Sequence, residues 1–140
     1  MLVEKIVNSL EKLKEIRETV SIEDLEEDEK LQTYILWNLY VVVQGCIDLA
    51  LKIISKLKLG SPKTYKNAFE LLVDYNILPK DLGKTMIKVV DLRHILMHLY
   101  IKIDFNKILK ILHKNLEDID YYLKTVEEKL SENGFNIFEI

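Results

Sequence analysis

From Tyr34 to Ile54 the chain is largely apolar over about the length of a bilayer span. Gln44, Asp48 and Lys52 nevertheless recur within it at helical i, i+4 spacing, and Asn38 interrupts it once more. A lipid-facing helix would have to hide that polar stripe, whereas the central helix of a bundle uses it naturally. The stretch therefore reads as the core of a water-soluble helical domain rather than as a membrane span. It sits in a long helix expected from about Asp28 to Lys58. That helix ends at Leu59-Gly60-Ser61-Pro62, where glycine can terminate a helix and proline cannot continue it.

The flanking segments keep the same period. Val3, Ile6, Val7, Leu10, Leu13 and Ile16 form a stripe at spacings of three and four, which predicts a first helix over Val3–Val20. Ser21 followed by Asp24 has the form of an N-cap. Six of the seven residues from Glu23 to Glu29 are acidic, as suits a solvated helix start, with an acidic docking patch as the alternative. A short helix is expected over Thr64–Tyr75 and a longer one over Pro79–Tyr100, with Leu82, Met86, Val89, Val90, Leu96 and Leu99 inward. Asp104 caps a last helix over Phe105–Leu130, whose Ile108, Leu112, Leu116, Ile119, Leu123, Val126 and Leu130 repeat with near-heptad regularity. No alternation of strand length interrupts this pattern. The expected fold is all-α: an antiparallel up-and-down bundle of four main helices plus one short helix, forming a single domain over residues 1–131 with a tail at 132–140.

Composition narrows the functional classes. The chain has 140 residues, enough for one domain with a proper core, and only 4 Gly and 2 Pro. A net charge of −3 argues against a general polyanion-binding surface, so any nucleic-acid contact must come from a local basic patch. One cysteine, Cys46, excludes an intramolecular disulfide and a cysteine zinc finger, and its apolar setting suggests a buried, inert thiol. The start, Met1-Leu2-Val3-Glu4-Lys5, is charged from the outset and does not read as a cleavable signal, so a cytoplasmic protein is expected.

Asp91-Leu92-Arg93-His94-Ile95-Leu96-Met97-His98-Leu99-Tyr100 departs from the bundle pattern. It places an arginine, two of the three histidines and a tyrosine in one apolar helical segment, where ionisable groups are costly unless paired or opened to a cleft. A fixed cation, an imidazole and a phenol can handle a phosphodiester without metal. At roughly 100° per residue, Arg93 and Tyr100 share a face, while His98 lies roughly 140° from Arg93. A two-fold dimer that brings two copies together would resolve that separation. Two other uses stay open on spacing alone. Asp91, His94 and His98 could bind a divalent metal from one helix face. Equally, Arg93 could pair with Asp48 inside the bundle and Tyr100 could cap the core.

The string Arg93 to Tyr100 resembles the Arg-x4-His-x-Tyr motif of HepT-like proteins, HEPN-domain toxins encoded beside a minimal nucleotidyltransferase (MNT) antitoxin. Gln44-Gly45-Cys46-Ile47-Asp48-Leu49-Ala50 resembles that family's central-helix segment. Ser61-Pro62-Lys63-Thr64-Tyr65-Lys66-Asn67-Ala68-Phe69 is similar to its loop entering the short helix. The similarity runs from about Lys30 to Val126. Two positions depart from it: His94 stands where asparagine is most often found, and Gln44 where glutamate is common. The resemblance implies a homodimer with a cleft lined by both motifs, and metal-independent endoribonuclease cleavage with no cofactor. It implies Arg93 and His98 as the catalytic pair, His94 as an assisting residue, and Tyr100 as the acceptor of AMP from an MNT-type antitoxin. The alternatives are a non-catalytic helical partner that binds nucleotide or transferase, and a metal-binding bundle using Asp91, His94 and His98.

Overall fold

The computed structural model describes residues 1–98 and 102–140. Among these the chain forms seven α-helices and no strand: α1 (Leu2–Ile16), α2 (Ile22–Glu27), α3 (Glu29–Leu57), α4 (Tyr65–Asp74), α5 (Lys80–Met97), α6 (Phe105–Lys114) and α7 (Leu116–Glu132), followed by a 3-10 turn at Ile137–Glu139. The long, apolar α3 is the axis, with α1, α2, α4 and α5 packed against it and α7 against α5 and α6. This is the expected antiparallel bundle.

Local chemistry sets the ends of the elements. The Asp28 carboxylate accepts the backbone N–H groups of Lys30 and Leu31 at 3.0 and 3.2 Å and so starts α3. At the far end Lys58 takes the left-handed conformation (φ 55°) and the Leu59 N–H reaches back to the Ile54 carbonyl at 2.9 Å. The helix is therefore closed by a left-handed lysine two residues before Gly60, the expected stop. Ser21 and Asp24 form a reciprocal capping box, as anticipated, but they start the separate short helix α2. The extended backbone that Ser21 needs for this role (φ −107°, ψ 167°) ends α1 at Ile16 rather than at Val20.

The expected single helix over Phe105–Leu130 is divided at Asn115, which ends α6 and starts α7. The apolar repeat survives the break, because Leu112, Leu116 and Ile119 are all buried on either side of it. Beyond α7 the segment 132–140 turns at Gly134, and Ile137 is buried against α1 and α7. The core is continuous: Val3, Ile6, Leu10 and Leu13 of α1 meet Leu39, Val43, Cys46 and Ala50 of α3, with Phe69, Met86, Tyr122 and Val126 closing it. In length and composition α3 could cross a membrane, yet 56% of its most apolar window is buried inside the bundle, as befits a core helix.

Candidate active site

Leu82, Met86, Val89 and Leu96 turn one face of α5 into the core. That fixes the rotation of the helix and turns Arg93, half-buried, toward α3 and α4. The Arg93 Nε donates to Gln44 Oε1 at 2.6 Å, and Gln44 Nε2 donates in turn to Asp48 Oδ1 at 2.8 Å, one turn further along α3. The guanidinium also lies over the ring of Tyr65, 5.2 Å from its centroid. Tyr65 is the first residue of α4, a start fixed by the Thr64 hydroxyl accepting the Asn67 N–H at 2.9 Å. The direct Arg93–Asp48 pair that the sequence allowed does not form; the Gln44 amide stands between them. Among the described residues Arg93 makes no ion pair, and its positive charge is uncompensated by a touching carboxylate.

His94 and His98 lie on the exposed side of α5 at its C-terminal end, with ring centroids 4.3 Å apart. His98 is the C-cap residue. Its Nδ1 lies 2.8 Å from the His94 carbonyl oxygen. A carbonyl can only accept, so Nδ1 carries the proton and the lone pair of the neutral ring sits on Nε2. Arg93 and the histidine pair thus occupy different sides of one helix end, as the helical geometry requires. Tyr100, the expected modification site, lies outside the described residues.

Among the described residues no group of three His, Cys, Asp or Glu side chains gathers to hold a metal ion. Asp91, His94 and His98 therefore do not form the three-ligand set considered from their spacing. Cys46 is fully buried, which pushes its thiol pKa up, and Tyr122 is raised in the same way by burial. The Tyr122 hydroxyl donates to the Cys46 carbonyl at 3.0 Å, so both residues serve packing.

Two surfaces border the Arg93 cluster. A shallow cavity of about 450 Å³ beside Asp48 is lined by Lys5 and Lys52 together with Met1, Leu2 and Leu51. Trp37 is 62% exposed and stacks on Tyr40 at 5.9 Å, with Tyr34 also exposed. Trp37 precedes Gln44 by two helical turns on α3 and so shares its face. Neither Gln44 nor Tyr65, the direct partners of Arg93, was identified as such from the sequence. The i, i+4 placement of Gln44 and Asp48 was the available signal for the first of them.

Comparison with known proteins adds three findings. The family model described as "Ribonuclease HepT-like" matches residues 6–126. The chain is 28% identical over 102 residues to the mRNA nuclease HepT of Shewanella oneidensis, covering 73% of this chain and 77% of that protein. It is 30% identical over 113 residues to the tRNA nuclease HepT of Aphanizomenon flos-aquae, covering 81% of this chain and 77% of that one. Its fold matches the solved structure of the tri-AMPylated HEPN toxin of Shewanella oneidensis in complex with its MNT antitoxin. That match has a TM-score of 0.75 and 24% identity, and it covers 91% of this chain and 96% of that one.

Proposed function

Since this chain belongs to the HepT-like ribonuclease family, we propose that it is the endoribonuclease toxin of a HEPN/MNT toxin–antitoxin pair, acting in the cytoplasm as a homodimer. The observation that carries the reading is the state of Arg93, a guanidinium held by a neutral amide and an aromatic face, with no carboxylate touching it among the described residues. Such a group suits a phosphate whose negative charge grows in the transition state.

Cleavage runs by attack of the ribose 2′-oxygen on the adjacent phosphorus, with departure of the 5′-oxygen of the next nucleotide. Nε2 of His98 takes the 2′-hydroxyl proton, and a histidine in the acid form returns a proton to the leaving oxygen. Arg93 binds the non-bridging oxygens throughout. His94, stacked on His98, orients the substrate or assists the proton transfer. One copy keeps Arg93 and the histidines on different sides of α5, so the second copy completes the cleft. The exposed Trp37–Tyr40 face beside Gln44 supplies apolar area for that contact.

Silencing follows from AMP transfer to Tyr100 by the nucleotidyltransferase antitoxin, a reading supported by the AMPylated state of the Shewanella oneidensis relative. An added phosphate beside an RNA-binding cleft repels the substrate backbone and occupies its place.

The test is cleavage of a mixed cellular RNA pool in excess EDTA by wild type, Arg93→Ala and His98→Ala. Wild-type cleavage that disappears in both variants supports the site. Cleavage that persists in the variants refutes the residue assignment. Inactive wild type with added AMP in its intact mass points to a blocked Tyr100. Inactive wild type with unmodified mass makes the chain a non-catalytic binding partner.

A further inference from the structure

We infer that Asp48, Gln44 and Tyr65 are positioning residues that lock the Arg93 guanidinium in one orientation, leaving its two terminal nitrogens to grip a phosphate. The inference rests on the reading of Arg93 as the phosphate-binding residue of a ribonuclease.

The argument begins at Asp48. An ionised carboxylate only accepts hydrogen bonds, so the Gln44 amide must turn its NH2 toward it. The Gln44 oxygen then has to face the other way, toward α5, where it accepts the Arg93 Nε–H at 2.6 Å. A guanidinium can take an oxyanion on either of two edges, and the one that uses Nε is now occupied. What is left is the fork between Nη1 and Nη2. Arg93 Cζ lies over the Tyr65 ring, 5.2 Å from its centroid, and this contact limits the swing of the side chain about its torsions. A long, rotamer-rich side chain is thereby ordered before substrate arrives, which removes an entropic cost from binding. Gln44 does this without charge: as an amide it holds Arg93 without neutralising it, and the nearest carboxylate in the chain of bonds is one residue removed.

The experiment uses the full-length protein with a short fluorescent single-stranded RNA in EDTA. Gln44→Leu removes the acceptor and is expected to lower kcat/KM by about 10–100-fold, the scale of loss when a reacting group is mispositioned but still present. Gln44→Glu can still accept from Nε, but it sets a carboxylate on the guanidinium and beside Asp48, so it is expected to keep the orientation of Arg93 while weakening its hold on phosphate. Tyr65→Phe should recover most of what Tyr65→Leu loses, because the ring rather than the hydroxyl faces Arg93. A second readout is independent of cleavage. The chain has only two arginines, Arg17 and Arg93, so the Arg93 Nε–H resonance is assigned at once by its disappearance in Arg93→Lys. It is expected to exchange slowly in wild type and in Gln44→Glu, and to be lost to exchange in Gln44→Leu.

Gln44→Leu cleaving within about twofold of wild type, less than an ordinary hydrogen bond is worth, would overturn the inference. So would an Arg93 Nε–H signal that exchanges as slowly in Gln44→Leu as in wild type. If wild type cleaves no RNA, the ribonuclease reading fails by itself. The positioning claim is then decided by titration with a 2′-deoxy oligonucleotide. Followed by fluorescence anisotropy, binding that is at least several-fold weaker in Gln44→Leu than in wild type supports it, and equal binding, or none by wild type, rejects it.

Discussion

Replacing Gly83 by alanine places a methyl group in the seam between α4 and α5, where its Cβ would lie 2.2 Å from Val73 Cγ2. Comfortable carbon contacts begin near about 3.5 Å, so the shortfall is more than about 1 Å. Val73 cannot absorb it by a small torsion, because a β-branched side chain in a helix has essentially one rotamer. The helices must part, and overpacking of this kind costs about 1–3 kcal/mol. Against it stands about 1 kcal/mol gained by alanine over glycine in a helix interior. Gly83→Ala should therefore destabilise the chain by up to about 2 kcal/mol. In a Val73→Ala background the offending methyl is gone, and the nearest remaining atom, Cβ of residue 73, lies at an ordinary 3.7 Å. There the same substitution should stabilise by about 1 kcal/mol. Equilibrium urea unfolding of the four proteins gives the coupling free energy, expected at about 1–3 kcal/mol and favourable to the double variant. Additive effects, or a Gly83→Ala protein more stable than wild type, would show that the seam is looser than described. Because α4 carries Tyr65 and α5 carries Arg93, the same splaying should also lower RNA cleavage by folded Gly83→Ala.

Other substitutions probe the rest of the bundle. Gly45→Ala meets the Cγ1 of fully buried Ile6 at 2.5 Å, so it should lower the urea midpoint despite its better helix propensity. Tyr122→Phe loses a buried hydrogen bond to the Cys46 carbonyl, an oxygen within α3, and should cost about 1 kcal/mol in the same assay. Arg17 joins the end of α1 to the start of α7 through Glu117 at 2.7 Å, and this contact lowers the Glu117 pKa below the usual carboxylate range. A depressed folded-state pKa contributes stability that is complete above the unfolded value, about 4.3, and is lost as pH falls through the folded one. With Glu117 56% exposed the pair is worth under about 1 kcal/mol. Wild type should exceed Glu117→Gln in thermal midpoint at pH 7 and lose that margin toward pH 3.

Much of the bundle was legible from periodicity, because burial of one stripe per helix is what the spacing of Val3, Ile6, Leu10 and Leu13 encodes. The caps at Ser21 and Asp104 were equally local, since a short polar side chain and the next backbone N–H groups are all they need. The break at Asn115 was hidden for the opposite reason. Its backbone stays near helical values (φ −101°, ψ −13°), and the apolar repeat passes through it unshifted. The left-handed stop at Lys58 was also invisible, since lysine carries no preference for that conformation. At the candidate site, the segment from Arg93 to His98 was found from the cost of placing ionisable groups in an apolar helix. The direction of Arg93 was not, because it depends on the rotation of α5 against α3. A direct pair with Asp48 was one of the uses the sequence left open, and the tertiary structure interposes Gln44.

If His98 acts as proposed, its Nδ1 bond to the His94 carbonyl bears on turnover. That nitrogen carries its proton in both the neutral ring and the imidazolium, so the anchor survives when the opposite nitrogen gains or loses a proton. The ring need not reorient between the two halves of an acid–base cycle. The carbonyl it holds belongs to the last turn of α5, whose carbonyls have no partner within the helix itself. On the proposed mechanism a single imidazole both holds a carbonyl of the last turn of α5 and takes the proton. His98→Ala would fray the helix end as well as remove the base, whereas His98→Asn, whose amide can still donate to that oxygen, is the cleaner way to remove the proton transfer alone.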